Sequence, residues 1–208
     1  TDQPGGGIYG FFDSTINIAN STVSGNLSGD VAGGLRSLGN STIANSTFSS
    51  NTSTAWHGGG IFHTDGVLTV SNSTFAENVA PAGTASGILV ATFGAPASAT
   101  LLNNVMSGLE PAFACATEGG AAATITSAGG NVISDASCNP GATDLLNTDA
   151  DLGPLADNGG PTLTHLPSAT SPAIDAGVGT CPATDQRGVA RPVGAACDAG
   201  SVEVTAGP

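Results

Sequence analysis

A chain of 208 residues can build one domain with an extended core. Its hydrophobic residues (39%) recur with a period, which excludes a disordered chain although only 9% of residues are charged and 4% aromatic. The net charge of −13 sets 16 acidic residues against three basic ones, all arginine, and such a surface repels nucleic-acid phosphates and anionic membranes. No apolar run approaches the roughly 20 residues that span a bilayer, so neither nucleic-acid binding nor a membrane span is expected.

After a short leader, Thr1-Asp2-Gln3-Pro4, the chain repeats one phrase. A chain that opens at Thr1 is expected to have lost a processed segment. Gly5-Gly6-Gly7-Ile8 leads to Ile16-Asn17-Ile18 and Asn20-Ser21-Thr22-Val23, and Gly33-Gly34-Leu35 leads to Ile43 and Asn45-Ser46-Thr47-Phe48. Gly58-Gly59-Gly60-Ile61 leads to Leu68-Thr69-Val70 and Asn72-Ser73-Thr74-Phe75, and a weaker copy begins at Ser86-Gly87-Ile88. The apolar residue after the glycines stands at 8, 35, 61 and 88, giving steps of 27, 26 and 27 residues, a solenoid period.

Within each copy the short alternating runs are strand signals, and Asn-Ser-Thr favours corners. No stretch offers helical periodicity, and the leucine ladder of a leucine-rich repeat is missing. The expectation is all-β: a single-stranded right-handed parallel β-helix of about five coils. Ile18, Ile43 and Val70 should form one interior ladder, and Val23, Phe48 and Phe75 another. Asn side chains at equivalent corners should exchange amide hydrogen bonds from coil to coil. A fifth, degenerate coil follows, carrying Thr124-Ile125-Thr126 and Gly130-Asn131-Val132-Ile133.

Residues 1–147 are thus read as β-helix repeats. Residues 148–208, rich in Pro, Gly and Asp, are read as an irregular, disulfide-linked cap packed on the solenoid end. The cysteines fall into two sequence-local pairs, Cys115 with Cys138 and Cys181 with Cys197. Four cysteines permit three pairings and sequence does not choose among them; the local pairing is the expectation. Disulfides rather than metal binding fit the spacing and point to an extracellular or cell-surface location.

The runs LGPLADNGGPTLTH, SPAIDAG, TDQRGVARP and CDAGSVE, between Leu152 and Glu203, resemble the choice-of-anchor Q domain of secreted bacterial proteins. The upstream repeats are similar to those of polymorphic outer-membrane-protein-like and other pectate-lyase-like β-helices. The resemblance implies secretion and surface display, with an anchoring signal that is not visible before Pro208. It carries no agreed catalytic motif.

Candidate chemistry is sparse. His57, His63 and Asp65 form the one ionisable cluster of the repeats, and Arg36 is their one arginine; Asp13, Asp30, Asp65 and Glu77 are scattered. Asp149 and Asp151 have the flavour of a calcium loop but lack its third acid and distant Glu, so no cofactor is expected, calcium being the one candidate. Arg187 and Arg191 with Asp185 and Asp198 read as a structural ion-pair set. Glycosylation sequons stand at Asn20, Asn26, Asn40, Asn45, Asn51 and Asn72.

The expected function is non-enzymatic: an extracellular structural or adhesive solenoid, subunit of a homopolymeric fibre that self-associates through the solenoid ends, with glycans or cell surfaces as further partners. The alternative is a carbohydrate-active enzyme or glycan-binding module acting on acidic polysaccharide. The small number of aromatic residues counts against the alternative, because sugar grooves use exposed rings.

Overall fold

The computed structural model describes residues 5–109 and 112–205. The leader at residues 1–4 and the last three residues lie outside that range. Every strand of the repeats pairs in parallel with its equivalent one coil away, and the architecture is the expected parallel β-helix.

Each coil has three faces. On the first, Ile8, Leu35, Ile61, Ile88 and Cys115 are register partners in five successive coils. On the second, Ile18, Ile43, Val70 and Leu101 are aligned, and Ile16, Ser41, Leu68, Ala99 and Ile125 run beside them. On the third, Val23, Phe48, Phe75, Met106, Ile133 and Leu146 form one inward ladder. Both ladders expected from sequence are present, buried in one continuous core. Period two puts these residues inside, and β-branched and aromatic side chains fill a pleated interior well. The Phe48 and Phe75 rings stack with centroids 5.2 Å apart and planes 12° from parallel.

Two polar ladders hold the corners. Asn26 Nδ2 donates to Asn51 Oδ1 and Asn51 Nδ2 to Asn78 Oδ1, each at 2.9 Å, and Leu109 takes the next place as a core residue. The second ladder changes residue type along the axis. Backbone amides of Ser21, Ser46, Ser73, Asn104 and Asn131 donate in turn to the side chains of Ser46, Ser73, Asn104, Asn131 and Asp144. Asn20, Asn45, Asn72 and Asn103 do not stack in this way. They occupy the left-handed region (φ 47 to 54°), which Asn tolerates better than most residues, and turn the chain from the second face to the third.

The C-terminal segment does not sit on the solenoid end. It folds back along the outside of the third face, from the fifth coil to the first. Thr47 Oγ1 donates to Gln186 Oε1 at 2.7 Å, Gln186 Nε2 donates to Thr22 Oγ1 at 3.0 Å, and the Ser201 amide donates to Thr74 Oγ1 at 3.0 Å. The sequence of the third face dictates this path. Its outward positions are Thr22, Thr47, Ser49 and Thr74, short hydroxyls that supply partners to a non-repeating backbone. Where the outward residues become Val105 and Val132, the segment answers with Ala150, Ala173 and Ala199 in a second small core.

What covers the last coil is residues 134–144. The Asp135 carboxylate accepts the Ala114 amide and Ser137 Oγ the Cys115 amide, both at 2.9 Å; Asn139 Nδ2 donates to the Ile125 carbonyl at 2.8 Å. The Cys115–Cys138 disulfide pins this loop, and Cys181–Cys197 closes a loop of the folded-back segment, so the cysteines pair locally. Side chains seated on edge amides blunt a strand edge against addition of another chain.

Candidate functional site

The corner between the first and second faces departs from the repeat. Coil 2 turns with Leu38 alone between Ser37 and Gly39, whose partners in coil 1 are Gly10 and Ser14; there the turn takes three residues, Phe11, Phe12 and Asp13. Coil 3 turns with Asp65 alone between Thr64 and Gly66, whose partners in coil 4, Ala91 and Ala97, enclose the five residues 92–96. Lengthened corners in coils 1 and 4 therefore flank short ones in coils 2 and 3.

The inserted residues include three aromatic rings that are largely exposed among the described residues. Phe11 is 62% exposed, Phe12 48% and Phe93 71%, and Tyr9 beside them is 44% exposed. They form an unbroken string, with centroid separations of 6.0 Å for Tyr9–Phe11, 5.0 Å for Phe11–Phe12 and 6.5 Å for Phe12–Phe93. Leaving a Phe side chain in water forgoes roughly 1.5–3 kcal/mol of burial, and a contiguous exposed apolar patch marks an interaction site. Arg36 lies inboard of the string, its guanidinium carbon 5.9 Å from the Tyr9 ring centre and 5.2 Å from that of Phe62.

Beside Phe12 runs a groove of about 610 Å³, lined by Phe12, Asp13, Ser14, Leu38 and Asn40 from coils 1 and 2 and by Asp65, Gly94 and Ala95 from coils 3 and 4. Its floor is kept open by glycine. A Cβ on Gly39 (φ +138°) would lie 2.5 Å from the Ser14 carbonyl oxygen, and one on Gly66 (φ +103°) 2.9 Å from Asn40 Oδ1. The coil 4 loop is fixed, because Asp65 Oδ1 accepts the amides of Phe93, Gly94 and Ala95 at 2.9, 3.0 and 3.0 Å. Burial pushes the Asp65 pKa up, but those three amides and the nearby His63 outweigh it, so the carboxyl titrates below its ordinary range and stays ionised.

The structure separates the ionisable cluster read from sequence. His57 Nε2 pairs with the Glu118 carboxylate at 2.7 Å, His63 points into the core with Nδ1 3.2 Å from Ser37 Oγ, and Asp65 serves the corner loop. Asp149 and Asp151 sit beside a hollow of about 160 Å³, where Asp149 Oδ1 accepts the Asp151 amide at 3.0 Å and Asp151 Oδ2 accepts the Ser168 hydroxyl. Among the described residues no group of three or more His, Cys, Asp or Glu is placed to hold a metal ion.

Arg187 pairs with Asp185 at 2.9 Å, and Arg191 donates to the Asp198 and Gly200 carbonyls at 2.7 Å with Glu203 3.6 Å away. Burial lowers the Arg191 pKa and raises that of Asp198. These groups hold the folded-back segment together. Of the sequon asparagines, Asn45, Asn51 and Asn72 are buried and Asn26 donates within the ladder, whereas Asn20 and Asn40 are exposed. A glycan on Asn51 would require leaving the ladder, so Asn20 and Asn40 are the acceptors compatible with the fold.

The exposed ring string was missed by counting aromatic residues instead of placing them. A signal existed: the interval from first-face to second-face ladder is 10 residues for Ile8–Ile18 and 13 for Ile88–Leu101, against 8 for Leu35–Ile43 and 9 for Ile61–Val70. Comparison with protein-family models, curated proteins and solved structures finds no match for this chain.

Proposed function

We propose that this protein is an extracellular, non-catalytic β-solenoid that acts as an adhesive or recognition module, its coils a stiff scaffold for the lateral groove. The observation that carries this reading is the pair of lengthened corners, which break the repeat in order to hold aromatic rings in solvent beside a groove whose far wall is clamped by Asp65. Rigid presentation of exposed rings lowers the ordering cost of binding. Two disulfides fit an oxidising compartment. Kinship with the choice-of-anchor Q surface proteins, suggested by the run from Leu152 to Glu203, belongs to the same proposal.

Lateral recognition is favoured over end-to-end fibre growth. The last coil's edge groups at Ala114, Cys115 and Ile125 are already bonded by residues 135, 137 and 139, and an added chain would have to displace them. The test has two arms. Surface labelling of producing cells should find the protein outside the membrane. Incubation with polygalacturonate and neutral polysaccharides, with and without calcium, should release no new reducing or unsaturated ends. Release of either product would overturn the non-catalytic reading.

A further inference from the structure

The groove continues onto a sheet face whose chemistry narrows the ligand. Asn40 lines the groove and also belongs to the second face, where Asn17, Thr42, Thr69, Thr100 and Thr126 are register partners in five successive coils and point outward. The rank carries one hydroxyl or amide about every 4.8 Å and no charge. Apolar ring faces thus stand next to an ordered array of neutral donors and acceptors, a combination that matches sugar rings, apolar on their C–H faces and hydroxylated at their edges. Charge decides which sugars. Asp13 and Asp65 flank the groove, the chain has no lysine, and the net charge is −13, so a polyanionic glycan is repelled.

We infer that the groove and the adjoining threonine rank bind a neutral polysaccharide, the rings of Phe12 and Phe93 supplying the stacking platform. From coil 1 to coil 4 the corner spans roughly 14 Å, three strand spacings, room for more than one sugar ring. This inference rests on the proposed recognition role and differs from the alternative sequence reading, in which the polysaccharide is acidic.

The experiment uses the full chain with cello- and chito-oligosaccharides as soluble probes, cellulose and chitin as insoluble ones, and polygalacturonate as the acidic comparison. Calorimetry and pull-down should show binding to at least one neutral probe, little changed between low and high salt, and none to polygalacturonate. Phe12→Ala and Phe93→Ala should each weaken it about tenfold or more, as for loss of an aromatic anchor, while Phe113→Ala, an exposed ring on a separate strand, leaves it unchanged. Because all three rings are exposed, unchanged thermal melting identifies folded variants. No neutral binding by the wild type at millimolar probe, or equal binding in both ring variants, overturns the inference. So does sedimentation showing a wild-type dimer that Phe12→Ala and Phe93→Ala dissociate, since the rings would then serve a second copy. Cleavage of a bound neutral probe would sink the non-catalytic role and leave this inference standing.

Discussion

The side chain of Asn103 grips the backbone of Val178 at two points, accepting its amide at 2.8 Å and donating to its carbonyl at 3.0 Å. The corner asparagine thereby pairs with the returning segment much as a strand would. Asn45 reaches the same segment once, through the Thr184 carbonyl at 2.8 Å. Asn103→Gly keeps the left-handed corner (φ 54°) and removes only the grip. The expected cost is about 1–3 kcal/mol, with hydrogen exchange accelerated in residues 171–205 and unchanged in the core ladders. Uniform acceleration across the coils would contradict a local clasp.

Asn51 lies at the middle of its ladder, donating to Asn78 Oδ1 and the Val23 carbonyl and accepting from Asn26. Asn51→Ala should cost about 3 kcal/mol, because several buried partners lose a bond at once. Asn51→Asp should cost more, since a carboxylate cannot donate to Asn78 Oδ1 and brings a buried charge. Denaturant titration of both variants checks the order.

Removing Cys115 and Cys138 together, as alanines, opens a loop spanning a separation of 23 residues and should cost roughly 3 kcal/mol. It should also loosen the cover of the last coil. Strands Phe113–Glu118 and Ala123–Gly129 should then exchange amide protons faster, and light scattering should show association that rises with concentration.

His63 is buried, and desolvation holds its pKa below the ordinary 6.5 despite opposing help from the Gly66 backbone and Asp65. On acidification the unfolded chain takes up a proton near pH 6.5 that the folded chain refuses until lower pH. Stability should therefore fall as pH drops below 6.5, and Asp65, whose folded pKa lies below 3.8, adds a further loss at lower pH still. Val90 occupies the same register position one coil on. His63→Val should flatten the pH 5–7 part of the stability curve, and an unchanged slope would assign that dependence to another group.

The coils were legible because their interior positions repeat in kind: Ile18, Ile43 and Val70 differ little in shape, and period two places them inside. The asparagines were only half legible. Asn45 and Asn51 recur equally well in sequence, but one turns the corner and the other stacks, a difference set by backbone dihedrals that composition does not carry. The path of residues 148–205 was illegible because its partners are remote and unpatterned. Nothing local tells Thr22 that it will donate to the Leu163 carbonyl 141 residues away. The groove lay between these cases, visible as uneven corner lengths but not as a motif.

The returning segment also sets the order in which the molecule can be finished. Ser21 and Thr22, in coil 1, receive Gln186 Nε2 across separations of 165 and 164 residues, and Thr47 meets Ser201 across 154. Coils can zip onto one another through neighbours about 27 residues apart, but the third face stays unsealed until residues as far as Ser201 have been made. Folding should accordingly show a fast phase for the ladders and a slow closing phase that fails in a chain cut after residue 147. A fold whose last step seats residues 184–201 on coils 1 and 2 keeps that face open until those residues are available.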